Sequence, residues 1–216
     1  MRASTLPNIP TTLTIFRIFL VPLVVVVLLT EFKFEKWLFL NREMLAVVIF
    51  VLASVTDILD GYLARKRRQV TTLGKLLDPI ADKLLIASVL ISLVELKLVP
   101  AWVVVIIVGR EFSVTGIRMI GALQKVVIPA GQLGKWKMVL QVIAICFIIG
   151  GNQQEWTTMR ILGDALDVDL QTIVLHWLRL TGLALLYFVT LIAIISMIEY
   201  CVHLARKIDL FREEPP

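Results

Sequence analysis

Six runs of predominantly apolar residues occupy positions 11–30, 43–65, 74–96, 101–123, 131–150 and 181–204 of a 216-residue chain. Each is close to the length a helix needs to cross a bilayer, about 20 residues. A backbone in lipid has no water to bond, so it must satisfy its own polar groups, and a helix does so within one segment. The expected architecture is therefore an all-α integral membrane protein with six transmembrane helices, forming one domain over residues 1–216. Composition points the same way: 58% of residues are hydrophobic and 18% charged, where soluble domains run to about half and about a quarter. The two cysteines, Cys146 and Cys201, lie inside apolar runs and imply no disulfide framework. The first run is too long for the apolar core of a secretory signal, and no small-residue cleavage site follows it. It is expected to remain as the first membrane helix.

Lysine and arginine placement sets the expected orientation. Arg65, Lys66, Arg67, Arg68 and Lys75 cluster between the second and third runs. Arg118, Lys125, Lys135 and Lys137 flank the join between the fourth and fifth, and Arg206, Lys207 and Arg212 follow the sixth. The intervening connections are mixed or acidic: EFKFEKWLFLNRE carries both signs, and 152–171 sets Glu155, Asp164, Asp167 and Asp169 against Arg160. Both termini and the aspartate-rich stretch are expected to face the cytoplasm. Residues 163–180, GDALDVDLQTIVLHWLRL, are expected to lie as an amphipathic piece on the outer surface. There Asp167 and Asp169 weigh against a span, and His176 and Trp177 suit the interface.

Against this apolar background, DILDGYLARKRRQVTTLGKLLDPIAD holds four aspartates, Asp57, Asp60, Asp78 and Asp82. Asp57, Asp60, Gly61, Ala64 and Arg65 recur at i, i+3, i+4, i+7 and i+8, one face of a helix. Gly74, Asp78 and Asp82 recur at i, i+4 and i+8, again one face. A short basic turn joins the two segments, so they are expected to be antiparallel neighbours with converging acidic faces. Converging carboxylates repel one another unless a cation sits among them, and carboxylates with phosphates are the ligands of hard dications such as Mg²⁺ or Mn²⁺. No cysteine or histidine cluster competes for a zinc ion. Glycine at 61 and 74 leaves room for a phosphate beside each backbone, and Arg65 offers a fork for its oxygens. Capping or pairing with the basic cluster would explain one or two of these aspartates, not four in two helical registers. The residues alone imply a metal-dependent site for a diphosphate.

The full pattern Asp57-x2-Asp60-Gly61-x2-Ala64-Arg65-x8-Gly74-x3-Asp78-x3-Asp82 resembles, at every position, the signature of the CDP-alcohol phosphotransferases. NIPTTLTIFRIFLVP, LGKLLDPIADKLL, GREF and GKWKM extend the likeness to the bacterial branch that makes phosphatidylglycerophosphate. Thr11 departs from the asparagine expected in that branch. The resemblance implies the family's membrane fold, a pair of Mg²⁺ or Mn²⁺ ions on Asp57, Asp60, Asp78 and Asp82, and Asp82 as general base. It also implies that Asp60, Gly61, Ala64, Arg65 and Gly74 line the CDP and diphosphate pocket. The implied substrates are CDP-diacylglycerol and sn-glycerol 3-phosphate, with a homodimer in the bilayer and no nucleic-acid partner.

An acceptor that bears its own phosphate needs a second anion pocket, for which Arg110, Arg118, Lys135 and Lys137 are the candidates. Arg110 and Arg118 share a face at i, i+8, and Arg110 lies deep in its apolar run. A pairing of Arg110 with Glu111 is expected to be poor, because adjacent helical side chains diverge. Lys135 and Lys137, at i, i+2, cannot both face inward; Lys135 is the expected inward one, with Lys137 reaching toward headgroups. Asn8, Thr11, Thr14 and Arg17 open the first helix as substrate contacts or as caps. Two alternatives remain: another acceptor such as inositol phosphate, or a divalent-cation transporter. The transporter would need acidic residues continuing across the membrane, and these carboxylates sit near one side.

Overall fold

The computed structural model describes residues 9–30, 42–67, 72–123, 132–152 and 168–212. Six helices make up this part of the chain: α1 Ile9–Leu29, α2 Arg42–Arg67, α3 Thr72–Glu95, α4 Ala101–Leu123, α5 Gln132–Gly150 and α6 Val168–Arg212. Their bounds follow the apolar runs closely, with one departure. The last run does not begin near 181 after a separate surface piece; α6 is a single helix of 45 residues. The stretch VDLQTIVLHWLRLTG contains no proline, and its leucine-rich composition sustains a helix. His176 and Trp177 are exposed along it.

Packing is organised around α1, which lies against both α2 and α3; α4 packs on α3 and α6, and α5 on α2 and α6. Direct contact between α2 and α3 is sparse among the described residues. The stretches nearest their connection, where the expected hairpin contacts would fall, lie outside the described side chains. The core at this junction is made by Val24 and Leu28 of α1, Phe50 of α2, and Leu90 and Leu93 of α3, all buried. Outward, the bundle shows Phe19, Val105 and Trp136, each about 70% exposed, together with many other large apolar side chains. A surface this apolar is matched to lipid rather than to water. Within the described residues, 173–200 of α6 is the segment both long and apolar enough to cross a membrane by length and composition.

Two local devices hold the bundle in register. At the end of α3, Lys97 adopts a left-handed φ of 56°. Its N–H donates to the Val94 carbonyl at 2.9 Å, and the Leu98 N–H reaches back to Leu93 at 2.9 Å. This closing pattern usually recruits glycine, and it is accompanied here by burial of both Leu93 and Leu98. Between α5 and α6 the backbones approach closely. A Cβ on Gly182 would lie 2.9 Å from the Ile148 nitrogen, and one on Gly151 would lie 2.6 Å from the Arg179 nitrogen. Small residues of this kind let helices in lipid gain contact area where water drives nothing together. Replacing Gly182 by leucine is expected to separate the two helices and destabilise the protein by about 1–3 kcal/mol. A lower melting temperature of the purified protein in detergent would show it, and a melting temperature equal to wild type would contradict the close-packing assignment.

Candidate active site

α2 runs unbroken through Asp57, Asp60, Gly61, Ala64 and Arg65, and α3 through Gly74, Asp78 and Asp82. The backbone therefore supports both spacings, and each acidic set shares one face of its helix. Counted from the helix ends at Arg67 and Thr72, the four aspartates lie about 9–15 Å inside, at about 1.5 Å per residue. The side chains of these eight residues lie outside the described residues, as do all of Asn8 and the side chains of Thr11, Thr14, Arg118 and Lys135.

On α1, Arg17 is described, and it is only 1% exposed. A guanidinium this enclosed belongs to the interior of the bundle and not to a solvent-facing cap. Counted from the start of α1 it lies about 12 Å in, the depth range of the aspartates.

A cluster of charge on α4, α5 and α6 is fully described. Lys137 of α5 donates from Nζ to Glu111 Oε1 at 2.8 Å. Arg110 of α4 donates from Nη1 to the same Oε1 at 3.2 Å and from Nη2 to Ser196 Oγ of α6 at 2.7 Å. Lys83, the residue after Asp82 on α3, is near enough to act on the Glu111 charge. The helix carrying Arg110 and Glu111, α4, packs on α3. Lys137 is 1% exposed, and Arg110 Nε is buried with no hydrogen-bond partner among the described residues.

Two expectations are corrected here. Lys137 does not extend to the headgroups; Glu111 draws it inward, because an ammonium in an apolar bundle is stable only against an opposite charge. Lys135, expected to be the inward one, cannot be compared. Arg110 and Glu111 do meet although they are neighbours in sequence. Their Cβ atoms diverge, but the long guanidinium arm bends back across the gap to share an oxygen with Lys137. Glu111 and Ser196 were not anticipated as partners of Arg110. GREF and GKWKM contain the signal for the first, since one acid between two basic clusters is a candidate counter-ion; nothing in the sequence near Ser196 distinguishes it.

Residues 7–177 match the family described as CDP-alcohol phosphatidyltransferase. The chain belongs to that family. Three relatives share the name CDP-diacylglycerol–glycerol-3-phosphate 3-phosphatidyltransferase. The protein of Bacillus subtilis (strain 168) is 42% identical over 151 residues, covering 67% of this chain and 78% of its own. That of Rickettsia bellii (strain RML369-C) is 40% identical over 146 residues, covering 68% and 77%. That of Haemophilus influenzae (strain ATCC 51907 / DSM 11121 / KW20 / Rd) is 30% identical over 200 residues, covering 89% and 91%. The match to the CDP-alcohol phosphatidyltransferase family takes in α1 to α5 and the first turns of α6, including the aspartate helices and both Glu111 and Lys137.

Lys137→Met leaves Glu111 with Arg110 alone in a largely enclosed setting. The expected loss of stability is about 2–3 kcal/mol, the lower side of what breaking one partner of a buried pair costs, since Glu111 keeps a second cation. Adding Glu111→Gln to that variant should recover part of the loss in thermal melts. An unchanged melting temperature in the single variant would show that the contact does not stabilise the fold.

Proposed function

We propose that the protein transfers the phosphatidyl group from CDP-diacylglycerol to sn-glycerol 3-phosphate, releasing CMP and forming phosphatidylglycerophosphate. The observation that carries this reading is the shared name of relatives at 40–42% identity over about two thirds of the chain. The unbroken aspartate signature on α2 and α3 supports the chemistry, and the cation cluster beside α3 supports an acceptor with its own phosphate. A phosphate-bearing inositol is the second reading that the same cluster would accept.

The donor set fits a pair of hard dications: four carboxylates in two helical registers, with no described thiol or imidazole cluster to compete. Held by Asp57, Asp60, Asp78 and Asp82, Mg²⁺ or Mn²⁺ supplies positive charge against the diphosphate of the nucleotide-lipid. Gly61 and Gly74 let the diphosphate approach the helix backbones, Ala64 keeps that face small, and Arg65 takes up charge on the departing CMP. Asp82 accepts the proton of the acceptor's 1-hydroxyl, and that oxygen forms a bond to the phosphorus attached to diacylglycerol. The bond from that phosphorus to the CMP oxygen breaks. Arg110 and Lys137, with Arg118 and Lys135 from the same two helices, hold the acceptor's phosphate. Arg17, and with it Asn8 and Thr14, contributes from α1. The catalysis is alignment with electrostatic stabilisation, as in other phosphoryl transfers.

In the membrane, this reading has six spanning helices with both termini and the aspartate ends in the cytoplasm of a bacterial cell, and two copies per assembly. The outward apolar side chains support the spans, and the arginine-rich connection after α2 supports the orientation.

Purified protein in detergent, given CDP-diacylglycerol, Mn²⁺ and a panel of acceptors, should release CMP with sn-glycerol 3-phosphate. Release with inositol phosphate instead would replace the acceptor and keep the chemistry. Asp82→Asn should lower kcat by at least about 10²-fold, as expected when a general base is removed. Chelation should abolish turnover, and readdition of Mg²⁺ or Mn²⁺ should restore it; turnover that persists under chelation would remove the dications from the mechanism.

A further inference from the structure

Arg110 and Lys137 are two cations from different helices, and they would repel one another if nothing stood between them. Glu111 Oε1 accepts a hydrogen bond from each, at 3.2 and 2.8 Å, so one carboxylate oxygen fixes their separation. From the far side, Ser196 on α6 holds the second terminal nitrogen of Arg110 at 2.7 Å. The guanidinium is thus gripped at both ends of its fork and cannot rotate without losing a bond. Donors are nevertheless left over. Arg110 Nε is buried with no partner among the described residues, and an ammonium offers three N–H groups, of which Glu111 takes one from Lys137. Buried donors without acceptors are costly, and an anion entering the cluster would relieve the cost. Two cations and one carboxylate leave a net positive charge.

From this geometry we infer that Glu111 and Ser196 are positioning residues for the acceptor's phosphate: neither takes part in bond making, and together they set the spacing and direction of Arg110 and Lys137. The inference rests on the reaction proposed above. It deepens that reading by separating the residues that touch the phosphate from those that aim them. Ser196 extends the subsite to α6, the helix that reaches farthest beyond the matched region of the family.

The test compares Michaelis constants for the two substrates in full-length protein carrying Glu111→Ala, Glu111→Gln or Ser196→Ala, with melting temperatures measured alongside. Glu111→Ala should raise the KM for sn-glycerol 3-phosphate about tenfold or more, the scale at which a small misplacement of binding groups registers. The KM for CDP-diacylglycerol should stay within about twofold, since the lipid-nucleotide is held on α2 and α3. Glu111→Gln keeps an accepting oxygen and should fall between wild type and alanine, and Ser196→Ala should give a smaller shift in the same direction. Should Glu111→Ala fail to fold, the glutamine and serine variants carry the comparison. Equal rises in both constants, no change in either, or tighter acceptor binding without the carboxylate would each overturn the assignment. If wild type proves to use inositol phosphate, the same comparison with that acceptor tests the positioning role independently of the acceptor's identity.

Discussion

A full charge inside an apolar helix bundle persists only where an opposite charge or a ligand meets it. That constraint decides where this protein places its chemistry. Glu111 answers Arg110 and Lys137 from within the chain, at 3.2 and 2.8 Å. The four aspartates of α2 and α3 are an excess of the opposite sign set in two helical registers. Glu111 offsets one of the two positive charges beside it, so the cluster of α4 and α5 keeps a net positive charge.

The helix that makes this arrangement hold is α1. It packs against both acidic helices, α2 and α3. Arg17 is buried in the same helix at a comparable depth. The hairpin geometry of α2 and α3 is then not set by their connection alone. Val24 and Leu28 of α1 pack with Phe50 and Leu93 to fix the spacing from the opposite end.

Much of this was legible in the sequence, for reasons that also explain what was not. Apolar runs of span length give helix positions, because a helix that fails to cover its backbone in lipid has no alternative. The aspartate registers were readable because i, i+3 and i+4 spacings map directly onto a helix face. Three features escaped. The continuity of α6 was obscured by Asp167 and Asp169, whose charge reads equally as surface or as helix start. Lys137 was assigned outward because its counter-ion lies 26 residues away on another helix, and periodicity carries no information about partners between helices. Ser196 was invisible for the same reason at greater range, as an ordinary hydroxyl in an apolar run whose meaning comes from a guanidinium 86 residues earlier.

The length of α6 has a mechanical corollary. Its apolar portion of 28 residues measures about 42 Å, at about 1.5 Å per residue, against about 30 Å of hydrocarbon in an average bilayer. A rod longer than its slab inclines or lets its ends rise among the headgroups, and the balance shifts as the slab thickens or thins. The serine that steadies Arg110 rides on this rod near one end of the apolar portion. Membrane thickness, and hence acyl-chain length, would therefore bear on the same helix that holds Arg110 through Ser196.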